Sequence, residues 1–106
     1  MKKIRGFAEE IGLLTEQIKN KYHPDKIILF GSLVRGKPNK NSDIDMLIIK
    51  KTKRRFIDRI SDVLLCCRYN LPFEPLVYTP QEIKKSLKMG DFFIAEILKK
   101  GKVLYG

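Results

Sequence analysis

With 106 residues, 43% of them hydrophobic, the chain is long enough for one core and too short for a catalytic domain joined to a separate substrate-binding domain, so a single domain spanning residues 1–106 is expected. No stretch approaches the ~20 apolar residues of a membrane span, and the Lys-rich opening lacks the apolar run of a signal peptide, which makes the cytoplasm the default location and a membrane partner unexpected. Lys and Arg outnumber Asp and Glu by 22 to 12, for a formal charge of +10, which favours an anionic partner: a nucleotide, RNA or the acidic face of a protein. A Lys-rich solubilising surface explains the same composition.

Taken in order, Ile4, Phe7, Ala8, Ile11, Leu14, Ile18 and Tyr22 follow the three-and-four spacing of an amphipathic helix that Pro24 ends. His23, the chain's one histidine, sits before proline at the helix exit and reads as a turn residue. The apolar run Ile27–Phe30 predicts a short buried strand. Gly31-Ser32 then lets backbone amides approach a ligand closely, and a helical turn beginning at Ser32 would aim its free N–H groups at an anion. The polar segment Lys37-Pro38-Asn39-Lys40-Asn41 is an exposed connection whose lysines stand at the mouth of that turn.

A second strand is expected from Asp43 to Lys50, with Asp43 and Asp45 on one face because strand side chains alternate. Two carboxylates so close repel one another unless a cation lies between them, and hard oxygen ligands favour Mg2+ or Mn2+. A metal beside a phosphate cradle is the arrangement that phosphoryl or nucleotidyl transfer requires.

Lys50-Lys51-Thr52-Lys53-Arg54-Arg55 leads into a helix carrying Phe56, Ile60, Val63, Leu64 and Cys67, with Thr52 as its candidate cap. The positive charges oppose the helix dipole, so they read either as a phosphate or acidic-partner contact or as a solvated run. Cys66 and Cys67 are adjacent and have one histidine for company, which excludes an ordinary disulfide between them and a zinc set, and leaves core filling. Leu71 to Thr79 reads as a third strand, with Glu74 on one face and Pro75 placing it at a sheet edge.

Thr79-Pro80-Gln81-Glu82 is a capping box with proline at the first helical position; the helix it opens runs to about Met89 and Gly90 stops it. Asp91 caps a further helix with Phe93, Ile94, Ile97 and Leu98 inward. Val103-Leu104-Tyr105 is expected to dock on the core as an apolar tail. The order α-β-α-β-α-β-α-α implies an α+β fold, an α/β sandwich in which helices cover a small mixed sheet.

Gly31-Ser32, ten residues, then Asp43-Ile44-Asp45 resembles the signature of the DNA polymerase beta-like nucleotidyltransferase superfamily, and Arg35-Gly36 with Ser42-Asp43 resembles its minimal nucleotidyltransferase branch. The resemblance implies that fold, with ATP as substrate and Mg2+ or Mn2+ as cofactor. Gly31 and Ser32 would hold phosphates, joined on the nucleotide side by Arg35 and Ser42, while Asp43, Asp45 and Glu74 would form the metal-binding catalytic triad. Glu74 would be the general base, although Asp is usual in the family at that place. Stand-alone members are similar to antitoxins that pair with HEPN-domain toxins, so the implied function is transfer of AMP to a hydroxyl of such a partner. A catalytically silent antitoxin acting by contact, or a basic subunit that binds or modifies RNA, is the alternative.

Overall fold

In a computed structural model of the chain, residues 6–35 and 41–106 are described. Helix α1 (Phe7–Tyr22) leads to strand β1 (Lys26–Phe30), and β2 (Ile44–Ile49) follows; then come α2 (Phe56–Cys66), β3 (Phe73–Tyr78), α3 (Pro80–Lys88), α4 (Phe92–Lys100) and β4 (Lys102–Tyr105). The strands form one mixed sheet in the order β3-β2-β1-β4. β1 pairs antiparallel with both β2 and β4, whereas β2 and β3 run parallel. The α+β expectation of a small mixed sheet covered by helices therefore holds.

Alternation along the strands sorts the core into two layers. Ile27 and Leu29 of β1, Ile44, Met46 and Ile48 of β2 and Val77 of β3 face α1 and α2, where Leu14, Ile18 and Val63 are wholly buried. The intervening residues Ile28 and Leu47 face α3 and α4 and meet Ile83, Ile94 and Ile97. Both layers have one chemical cause: apolar residues at every strand position from Ile27 to Leu29 and from Met46 to Ile49 leave neither face fit for water.

Helix ends follow their sequence signals. His23 takes the left-handed conformation (φ 56°) that closes α1, and Gly90 (φ 78°) closes α3. Thr79 and Glu82 form the reciprocal capping box, and the Asp91 carboxylate accepts from the amides of Phe93 and Ile94. Arg59, buried in α2, ties the layers together by donating to the carbonyls of Arg54 and Val77 and to both carboxylate oxygens of Glu82.

Several expectations need correction. The described residues after β1 make a single helical turn from Gly31, in which the amides of Val34 and Arg35 reach back to the Gly31 carbonyl at 3.2 and 3.4 Å, and among the described residues between β1 and β2 there is no longer helix. The expected tail is a fourth strand, because hydrogen bonding to the free edge of β1 outweighs the weak strand signal of four residues. Thr52 accepts from the Arg54 amide in the turn before α2, and Arg55 occupies the cap position without a side-chain bond. Phe93 and Leu98 are 50% and 36% exposed, since α4 buries only Ile94 and Ile97. Cys67 lies just beyond α2, and both thiols pack partly buried against the core. Ile4, Gly36 and Lys37–Lys40 fall outside the described residues.

Candidate active site

The site is assembled at the end of the sheet where β1 finishes and β2 and β3 begin. Register brings it together: Phe30 lies opposite Asp45 across the antiparallel pair, and Asp45 lies beside Glu74 across the parallel pair. Paired residues share a face, so all three side chains occupy the α3–α4 face, one step past Leu47. Asp43 precedes the first residue of β2 and is half-buried.

The carboxylates crowd one another. Burial pushes the Asp45 carboxyl up to about 6, helped by the Glu74 and Asp43 charges and by a hydrogen bond shared with Glu74, while Arg35 pulls the other way. Asp45 thus holds its proton to higher pH than an ordinary carboxylate, as a half-buried acid beside other carboxylates does.

Above them lies the turn. Gly31 has φ +83°, and a Cβ there would stand 2.4 Å from Oδ2 of Asp45, so both conformation and space demand glycine. Among the described residues the Ser32 and Leu33 amides donate to no carbonyl, which leaves them for an anion. The Ser32 hydroxyl donates to the hydroxyl of Ser42 at 3.1 Å. Ser42 is buried and, through this bond, braces the turn against the strand entry. Arg35 is exposed and close enough to bias Asp45.

The structure therefore collects Gly31, Ser32, Arg35, Ser42, Asp43, Asp45 and Glu74 in one region. It also adds a cleft of about 350 Å³ beside the turn, lined by Phe30, Val34, Phe93 and Ile97 with Arg35 and Lys100 at its polar side. Sequence reasoning missed this cleft because Phe93 and Ile97 read as core. The floor is closed by Gly101, where a Cβ would stand 2.5 Å from Cγ2 of Ile28.

The donor set, oxygens alone and negatively charged, is of the kind that suits a divalent cation. Among the described residues no three such groups already stand at ligating distance from a common point. The basic run lies elsewhere. Lys50 follows β2 at its opposite end, roughly 16 Å from Asp45 at ~3.3 Å per strand residue. There Arg54 and Arg55 pair with Asp62 and Asp58, and Lys50 donates to the carbonyls of Tyr22 and His23. The run therefore lies at the end of β2 away from the turn.

Residues 13–106 match the family model described as "Polymerase beta, Nucleotidyltransferase". The chain belongs to this family. Two proteins of Methanocaldococcus jannaschii, each named "Putative protein adenylyltransferase", are 36% identical over 98 residues and 32% identical over 94 residues. The first alignment covers 85% of this chain and 65% of that protein, the second 89% and 87%. A solved structure described as a "putative nucleotidyltransferase" from Sulfolobus solfataricus superposes with a TM-score of 0.54 at 25% identity, covering 80% of this chain and 84% of that one. The fold is thus that of the polymerase beta-like nucleotidyltransferases. Among the described residues no helix is long and apolar enough to cross a membrane.

Proposed function

We propose that this nucleotidyltransferase moves AMP from ATP to a hydroxyl of a partner protein, with Mg2+ or Mn2+ as cofactor, and acts as the antitoxin of a HEPN-type toxin in the cytoplasm. The observation that carries the chemistry is the Phe30–Asp45–Glu74 row beneath the Gly31 turn, which sets clustered carboxylates against Gly31 and next to the Ser32 and Leu33 amides, which donate to no carbonyl among the described residues. The names of the M. jannaschii relatives support the protein acceptor, and the charge of +10 supports an acidic one.

In this reading the amides of Ser32 and Leu33, with the Ser32 hydroxyl, receive the β- and γ-phosphates, and Arg35 offsets their charge. Asp43 and Asp45, completed by Glu74, would hold the divalent ion, which when bound would neutralise charge on the phosphates and the leaving pyrophosphate. Glu74 takes the proton from the acceptor oxygen as that oxygen bonds to the α-phosphorus and the bond to pyrophosphate breaks. Ser42 positions the turn through Ser32.

Incubation with α-labelled ATP, Mg2+ and a purified HEPN-type protein encoded beside it should place label on that protein. Label on RNA, or none while the two proteins still bind, would replace this reading with a polynucleotide transferase or a contact antitoxin. Glu74→Gln should lower the rate by roughly 100-fold with little change in ATP affinity, because a base acts on the proton and not on the nucleotide.

A further inference from the structure

Between α3 and α4 the chain exposes side chains that neither helix uses. Leu87, Met89, Phe92 and Phe93 are 44%, 75%, 88% and 50% exposed. The fold does not require them: Ile83 anchors α3, Ile94 and Ile97 anchor α4, and Asp91 already caps α4. Phe92 stands at the first position of that helix, where a polar residue would serve equally well. Apolar side chains concentrated at one corner, instead of scattered singly, mark an interaction surface.

The corner reaches the active-site row on one side, through Phe93; on its other side Met89 and Asp91 line a pocket with Phe56 and Tyr78, at the end of β3 opposite Glu74. The Phe93 ring meets the Phe30 ring edge-on at 5.8 Å, and Phe30 is the register partner of Asp45. Lys85 and Lys88 in the last turns of α3 adjoin it, exposed and lacking an ion-pair partner among the described residues, while Lys99 and Lys100 stand roughly 10–12 Å along α4 at that helix's other end. We propose that this α3–α4 corner is the docking surface for the protein acceptor, and that the segment seated there carries an apolar stripe bordered by carboxylates. The inference rests on the transferase reading for the word acceptor, and on the surface itself for the chemistry of the segment.

Charge decides the occupant. A second copy would bring the same uncompensated lysines against these, whereas an acidic segment neutralises them while its apolar side chains cover Met89 and Phe92. The aliphatic Leu87 and Met89 also favour a protein over RNA bases, which stack on aromatic faces.

The test uses the full chain and a fluorescein-labelled amphipathic helical peptide with Leu and Phe on one face and Glu along both flanks, beside a version with Lys flanks. Fluorescence anisotropy should show binding of the Glu peptide that weakens as salt rises, and binding of the Lys peptide about tenfold weaker or more. In the double variant Met89→Ser/Phe92→Ser the Glu peptide should lose about tenfold in affinity or more, with an unchanged melting temperature. The proposal is overturned if the peptides bind equally, if neither binds, or if the variant binds as the wild type does. It is also overturned if the substitutions abolish a dimer seen by sedimentation, or binding of oligo(A) RNA, while leaving the peptide unaffected. Calorimetry with ATP and Mg2+ separates the two readings: wild type and variant should bind ATP alike, and peptide binding without ATP binding would refute the transferase and leave the surface standing.

Discussion

Replacing Asp45 with Asn should stabilise the protein while abolishing its chemistry. Burial and the neighbouring Glu74 and Asp43 carboxylates hold the Asp45 carboxyl at about 6 in the folded chain, against an ordinary value of 3.8. Each tenfold change in proton affinity is worth about 1.4 kcal/mol, so ionised Asp45 burdens the fold by at most ~3 kcal/mol. The side chain is only half-buried and water screens its neighbours, which reduces the figure to roughly 1–2 kcal/mol. For a chain of this length that is about 4–8 °C in melting temperature. The sign follows from linkage: an acid whose folded value is raised costs nothing below its unfolded value and develops its full cost above its folded value. Wild-type stability should therefore carry a loss that grows between about pH 4 and pH 6. Asp45→Asn should melt higher than wild type at pH 7.5, and the gap should close by pH 4. Mg2+ should raise the wild-type melting temperature and leave the variant nearly unmoved, since a neutral amide does not offset a divalent charge. Scanning calorimetry across that pH range is the assay. A variant no more stable than wild type at pH 7.5, or equally more stable at pH 4, would refute the account of a mutually repelling carboxylate cluster.

Gly31→Ala should cost about 1–2 kcal/mol for the left-handed backbone alone, plus displacement of the Asp45 carboxylate from its 2.4 Å overlap, and should show as a lower urea midpoint together with loss of transfer. Arg59→Met should lower stability by roughly 2–3 kcal/mol in urea denaturation, because it leaves the Val77 carbonyl and the Glu82 carboxylate without their donors; Arg59→Lys should recover only part, since an ammonium makes no fork to Glu82. Cys67, whose thiol burial pushes up to about 11 with help from Cys66, should alkylate slowly at pH 8 in the native protein and rapidly in urea, followed by mass spectrometry.

Much of the site was legible because its parts are local. The turn at Gly31-Ser32 and the pair Asp43/Asp45 each follow from adjacent residues, and the need for glycine reappears as a positive φ over Asp45. The meeting of Asp45 and Glu74 was legible only through the family resemblance, since it depends on the parallel register of β2 with β3 across an intervening helix, which no periodicity encodes. Pro75 gave the one useful hint: it stands mid-strand in β3, and β3 is indeed an edge of the sheet. The fourth strand stayed hidden for the same reason as the register, its stability arising from β1 and not from Lys102–Tyr105 themselves.

The division between core and active site within β2 is likewise not a property of that strand alone. Asp45, Leu47 and Ile49 share a face, and Leu47 is fully buried beneath the layer that Ile83, Ile94 and Ile97 build. Asp45 lies one step further, where α4 flanks β1 at the cleft holding Phe93 and leaves the neighbouring row half-open. A leucine at 45 would extend the core into that gap, and an aspartate at 47 would be a charge sealed from water. What makes one position structural and the next reactive is therefore the reach of α3 and α4 over the sheet, and not the alternation within β2.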